Sequence, residues 1–140
     1  MTVPQKPRLL LDTNIVTYTL KDTKWKELYD PIIFGNELFI SFMTFAELLE
    51  GAYRRQLSAK NLRKYQNDLW SRYVTIPSND RICECFAVIR VQRRTRPISV
   101  PDALIAATAM AYELPLVTHN AKDFAGIDGL KLITCYEKQE

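Results

Sequence analysis

The chain contains a single histidine, His119. That scarcity excludes any mechanism in which two imidazoles serve as paired acid and base. Cysteine is nearly as scarce: Cys83, Cys85 and Cys135 form no C-x-x-C pair and fall short of the four ligands of a structural zinc site. Their odd number and wide spacing give no disulfide framework, so buried structural thiols in a reducing compartment are expected. No apolar run approaches the ~20 residues that span a bilayer. Residues 1–8 include Pro4 and Pro7 but lack the apolar stretch of a secretory signal. A cytoplasmic protein with no membrane attachment is therefore expected. There is no internal repeat, low-complexity tract or linker, and only four glycines punctuate the chain. A chain of 140 residues buries roughly two thirds of its unfolded surface without covalent staples, so one domain spanning residues 1–140 is expected.

What is present is a regular alternation of short apolar runs and helical stretches. Residues 7–11, ending in Leu9-Leu10-Leu11, read as a strand covered on both faces and stopped by Asp12. A helix capped by Asp12 or Thr13 follows, then a helical stretch over 24–34, the turn signal Gly35-Asn36 and a strand over 37–41. Thr44 opens a helix reaching about residue 57, and Ser58 caps another over 59–72. A β-rich run at 73–76 ends at Pro77, and a helix over about 80–94 is broken by Pro97. Pro101 falls in the first turn of an alanine-rich helix that reaches Tyr112, with strands after it at 116–118 and 130–134. Short apolar strands separated by helices predict an α/β fold with a mostly parallel sheet and helices on both faces. Any site belongs at the carboxyl ends of its strands.

The residues left for chemistry are acidic. Asp12, Glu47, Asp102 and Asp123 are far apart in sequence, yet each falls where a strand or helix end would face a common cleft. Such a set suits a hard divalent cation, Mg²⁺ or Mn²⁺. Each acid also has an ordinary structural reading. Asp12 can be a helix N-cap. Glu47, three residues after Thr44, and Asp102, three after Ser99, match the capping box, in which a carboxylate folds back onto the cap amide. Asp123 can be a loop or cap residue. Their joint context favours the metal reading: Ala103, Ala106, Ala107 and Ala109 allow close helix-to-sheet approach and would hold Asp102 against the strand ends. Thr118 and Asn120 add neutral oxygens and donors at the same edge, with turn chemistry as the competing reading of Asn120.

Four motifs carry a family resemblance: Leu9-Leu10-Leu11-Asp12-Thr13-Asn14, Thr44 to Gly51 around Glu47, Asp102 to Ala109, and Thr118-His119-Asn120-Ala121-Lys122-Asp123-Phe124. Together they resemble the PIN domain, most closely the VapC-like toxin ribonucleases of type II toxin–antitoxin systems, in family order over nearly the whole chain. The resemblance implies a PIN-like α/β/α sandwich and a Mg²⁺- or Mn²⁺-dependent endoribonuclease acting on RNA. It also implies a cognate antitoxin and a homodimer. By motif position Asp12, Glu47, Asp102 and Asp123 are its metal-binding and catalytic acids, supported by Asn14, Thr118 and Asn120. His119, which alternates away from Thr118 and Asn120, is given a peripheral place.

Basic residues fall in two stretches, Arg54, Arg55, Lys60, Arg63, Lys64 and Arg72, then Arg81, Arg90, Arg93, Arg94 and Arg96. They read either as solvated helix faces or as walls for a polyanion. Arg54, Arg55, Arg94 and Arg96 are the candidates for RNA phosphate contact. Among the aromatics, Trp25, Tyr29, Phe34, Phe42 and Phe45 are expected mainly in the core, with a dimer or antitoxin surface as the alternative. Two other functions stay open: a PIN nuclease of RNA processing without an antitoxin, and a non-catalytic nucleic-acid-binding module. The presence of all four acids argues against the second. A small-molecule phosphatase has only the lone Asp12 in its favour.

Overall fold

In strand β1 (Arg8–Leu11), Leu10 packs into one apolar cluster while Leu9 and Leu11 pack into another on the opposite face, as the two-residue period of a strand requires. The structure, a computed structural model, describes residues 6–20 and 24–135. Strands β2 (Glu37–Ser41), β3 (Val74–Ile76), β4 (Leu116–Val117) and β5 (Leu132–Ile133) complete a five-stranded sheet in the order β3-β2-β1-β4-β5. Every pairing is parallel. Helices α1 (Thr13–Leu20), α2 (Lys24–Ile33), α3 (Phe42–Arg54) and α4 (Ala59–Arg72) cover the Leu9 and Leu11 face through Ile15, Val16, Tyr29, Leu48 and Leu69. Helices α5 (Asp80–Gln92) and α6 (Val100–Ala111) cover the other through Ile82, Ile89, Ile105 and the α6 alanines. The result is the α/β/α sandwich with a parallel sheet that the sequence predicts.

This topology fixes where a site can form. The chain steps outward from β1 to β2 and β3, then returns to β4 on the other side of β1. Strand order therefore reverses between β1 and β4, and the crevice of such a sheet lies outside the carboxyl ends of those two strands. The register Leu11↔Val117 sets Asp12 beside Thr118, and Asp12 N donates to Val117 O at 2.9 Å. Helix α6 lies close against the sheet because Ala103, Ala106, Ala107 and Ala109 are all fully buried. A larger residue at any of them would push the helix outward and carry Asp102 with it.

Several boundaries differ from the sequence expectation, each for a local reason. Helix α3 begins at Phe42 rather than Thr44, because the Ser41 side chain accepts from Met43 N at 3.1 Å and caps it. Thr44 is consequently an internal, buried helix residue, and Glu47 is not the partner of a capping box. The same helix stops at Arg54, just before Gln56 takes a left-handed φ of 55°. Helix α5 stops at Gln92, and β5 shrinks to Leu132–Ile133. All three cysteines are free, but Cys83 is exposed on α5 rather than buried. Tyr29 is fully buried, whereas Phe34 is 74% exposed. Among the described residues no helix is long and apolar enough to cross a membrane.

Candidate active site

Asp12 anchors the crevice. It is only 5% exposed, and both carboxylate oxygens are held: Oδ1 accepts from Thr13 N at 2.8 Å and Oδ2 from Thr118 Oγ1 at 2.9 Å. The Thr118 hydroxyl in turn accepts from Asn120 N at 3.1 Å. Burial pushes the Asp12 carboxyl up to about 6; the bonds from Thr118 and Thr13 oppose the rise, and the charges of Asp102 and Glu47 add to it. The two hydrogen bonds favour the anion, and a cation nearby would favour it further.

Glu47 reaches the same space from α3. Thr13 Oγ1 donates to Glu47 Oε1 at 2.8 Å and lies 3.1 Å from Thr44 Oγ1. Residue 13 therefore fixes two acids at once, Asp12 through its amide and Glu47 through its hydroxyl. Burial raises the Glu47 pKa, Thr13 opposes the rise, and Asp102 and Glu50 reinforce it. Asp102 enters from the first turn of α6, where the Ser99 hydroxyl caps the helix by accepting from Asp102 N at 3.2 Å. Burial raises its pKa as well, against a Ser99 hydrogen bond and together with the charge of Asp123. Asp123 itself is exposed, on the short 3-10 turn Ala121–Phe124.

The four sequence-predicted acids thus converge electrostatically, with Asp102 acting on Asp12 and Glu47 and feeling Asp123 in turn. Among the described residues none of the four forms a salt bridge. Asp102 and Asp123 share one cleft, and hard oxygen donors that sense one another's charge are a donor set for Mg²⁺ or Mn²⁺ in chemical type. As placed, however, no three acidic, histidine or cysteine side chains among the described residues are close enough together to grip an ion. Direct coordination would require side-chain rotation or intervening water, and Mg²⁺ characteristically keeps several waters.

The supporting residues divide. Thr118 holds Asp12 directly. Asn120 works through its backbone, its amide bound to Thr118 Oγ1 and its carbonyl accepting from Asp123 N at 3.0 Å. Asn14 is exposed on the first turn of α1. His119 turns away from the acids into an aromatic cluster, with Nδ1 2.8 Å from Tyr29 Oη and its ring 4.3 Å from that of Trp25.

Of the four basic candidates, Arg96 alone lines the open cleft of about 450 Å³ that also contains Ser99, Asp102, Lys122 and Asp123. Arg54 is bridged to Glu50 at 2.7 Å on the exposed side of α3, Arg55 lies over the Tyr65 ring, and Arg94 is exposed. A larger cleft of about 680 Å³ lies among Lys6, Arg8, Glu37 and Arg72, and Glu37 is its sole carboxylate. Sequence reasoning missed Thr13, whose place in Asp12-Thr13-Asn14 suggested only a cap. It also missed Lys122 as a lining residue and Arg93, which is buried and bonded to loop carbonyls rather than set in a solvated basic face.

A family model described as the PIN domain matches residues 9–130. The chain is 31% identical over 126 residues to ribonuclease VapC1 of Haemophilus influenzae strain R2866, covering 87% of this chain and 93% of the relative. It is 28% identical to the tRNA(fMet)-specific endonuclease VapC of Shigella flexneri, covering 89% and 95%. A chain of a solved toxin–antitoxin complex from Klebsiella pneumoniae superposes with a TM-score of 0.71 at 29% identity, covering 93% of this chain and 99% of that one.

Proposed function

The chain belongs to the PIN domain family, and on that footing we propose that it is a divalent-metal-dependent endoribonuclease serving as the toxin of a toxin–antitoxin pair. The observation that carries the proposal is the set of four mutually sensing carboxylates near the β1/β4 crossing, none of them salt-bridged among the described residues and three with pKa values raised by burial. The names of the curated relatives support ribonuclease activity, and the Klebsiella pneumoniae complex supports an antitoxin partner.

Asp12, Glu47, Asp102 and Asp123 would hold Mg²⁺ or Mn²⁺. A bound ion supplies Lewis acidity, drawing charge from phosphodiester oxygens and lowering the pKa of nearby water. The protein does the positioning. Thr118 Oγ1 and Thr13 N lock both oxygens of Asp12, and Thr13 Oγ1 locks Glu47. With one histidine, already engaged by Tyr29 Oη, a paired-imidazole route through the ribose 2′-hydroxyl has no second partner. We take water as the nucleophile: it forms the new P–O bond and gives up a proton as the P–O3′ bond breaks, and the leaving 3′ oxygen takes a proton from solvent, giving 5′-phosphate and 3′-hydroxyl ends.

Arg96 and Lys122 flank Asp102 and Asp123 in the cleft and would hold the RNA backbone there. Arg96 donates one N–H to Lys122 O at 2.9 Å, and a guanidinium has five donors. The Arg96→Ala, Lys122→Ala double variant should bind all RNAs more weakly and lower the log–log salt slope by roughly 1.4, about 0.7 per lost phosphate contact on a single strand. An unchanged slope in a filter-binding titration would remove both residues from the RNA path. An antitoxin segment rich in apolar side chains suits the exposed aromatic surface of α3 and α4, where Trp70 stacks on Phe45 and Tyr53 stands out into solvent.

The test is to incubate the protein with mixed cellular RNA in Mn²⁺, in Mg²⁺ and in chelator, and to sequence the ends. Discrete cuts in either metal are expected; intact RNA in both metals, from a folded protein, would contradict the nuclease reading.

A further inference from the structure

Arg93 is 6% exposed, and its partners are three backbone carbonyls rather than a carboxylate. It follows the last residue of α5, with Nε donating to Arg96 O at 2.8 Å and Nη1 donating to Asp123 O at 3.1 Å and Ala125 O at 2.9 Å. Among the described residues, none of these carbonyls accepts a backbone amide outside the regular elements. Each takes a hydrogen bond from the guanidinium.

The three carbonyls belong to the two segments that deliver acids to the cleft. Arg96 lies in the connection that turns from α5 into Ser99 and α6, and so sets where Asp102 begins its helix. Asp123 and Ala125 belong to the 3-10 turn and its exit. Arg90 reinforces the first segment, donating to Ile98 O at 2.7 Å. No regular ladder joins the α5–α6 connection to the 3-10 turn; buried Arg93 bridges them with bonds to both, beside the exposed bond from Arg96 to Lys122 O at 2.9 Å. Burying a guanidinium costs free energy that charge-assisted bonds to carbonyls offset, and its planar fork reaches several acceptors at fixed angles where an ammonium cannot.

We infer that Arg93 is a positioning residue that sets the separation of Asp102 and Asp123 by clamping their two loops together. The inference rests on the metal-nuclease reading only for what that separation is used for; the clamp itself is independent of it. Arg93→Lys keeps the charge and loses the fork, and Arg93→Met keeps much of the apolar stem and loses both. For each folded variant, Mn²⁺ binding is measured directly by calorimetry and amide exchange by mass spectrometry or NMR.

Both variants should bind Mn²⁺ about 10- to 100-fold more weakly, the usual consequence of losing a residue that orients a metal ligand. The amides of Asp123 and Ala125 should exchange at least about tenfold faster, with those of α4 unchanged. Mn²⁺ affinity within twofold of the parent would overturn the positioning role, whatever happens to exchange. Should the parent protein bind no Mn²⁺, the metal reading fails and exchange at Asp123 and Ala125 decides the clamp: faster exchange upholds it and unchanged exchange overturns it. If Arg93→Met does not fold, Arg93→Lys carries both measurements.

Discussion

Asp102→Asn is expected to lose at least about a hundredfold in RNA cleavage, since carboxylates that hold a catalytic ion underpin several kcal/mol of charge stabilisation. Thermal stability should stay the same or rise. These opposite signs have one cause. Asp102 is the acid that couples to the other three: its charge raises the pKa of Asp12 and Glu47, and Asp123 raises its own. Without a cation, that mutual repulsion and the burial of the carboxylates weigh against the fold. Asparagine has the same shape but removes the charge, and with it the attraction for the divalent ion that we propose this site holds. The cap of α6 survives, because the Ser99 hydroxyl still accepts from the residue 102 backbone N–H. Cleavage within threefold of the parent, in a variant whose circular dichroism and melting match, would remove Asp102 from the site.

The second large effect is pH-linked stabilisation by metal. Asp12 titrates at 3.8 in a model compound and is pushed up to about 6 in the folded chain. The folded state therefore binds the proton more tightly than the unfolded state does. Between pH 3.8 and about 6 the unfolded chain ionises first, so stability falls as pH rises through that window. By neutral pH the loss from Asp12 amounts to about 3 kcal/mol. Glu47 and Asp102 are raised in the same direction and add to it. A divalent ion bound by the ionised acids reverses the loss. Mn²⁺ at about a hundredfold over its dissociation constant should stabilise by about 2.7 kcal/mol, a rise in Tm of roughly 5–10 °C for a chain this size. At pH 5 the ion must displace a proton from Asp12, which weakens binding about tenfold, so the rise should shrink to about half its value at pH 7.5, and further where Glu47 and Asp102 are also protonated. Equal shifts at both pH values would place metal binding away from Asp12, and no shift at either would deny metal binding to the folded chain.

Much of the fold is legible in the sequence because its signals are local. Leu9-Leu10-Leu11 gives a doubly covered strand, Ser58 and Ser99 cap helices through their own hydroxyls, and the α6 alanines announce close packing. Asp12, Asp102 and Asp123 are legible as candidates for a related reason, since each sits at or near an element boundary that local residues define; Glu47, inside α3, is legible only through the motif around it. What is not legible depends on pairings across long separations. The bond from Thr13 to Glu47 spans 34 residues, and that from Thr118 to Asp12 spans 106. Both follow from the sheet order, which no local pattern encodes. Ser41 moved the start of α3 because a serine at a strand end can also cap the helix that follows it directly. That shift turns Thr44 from a cap into a buried neighbour of Thr13 and frees Glu47 from its capping-box reading. Arg93 was hidden among five arginines in sixteen residues; charge counts do not distinguish a solvated guanidinium from one enclosed by carbonyls.

End-group analysis of the cleaved RNA, with Mn²⁺ present, chelated and restored, tests most directly the claim that these four carboxylates form a metal-dependent, water-using nuclease. Cuts that vanish on chelation, return with Mn²⁺ and carry 5′-phosphate and 3′-hydroxyl ends are the expected result. Full cleavage after thorough chelation, leaving 2′,3′-cyclic phosphates, would contradict it.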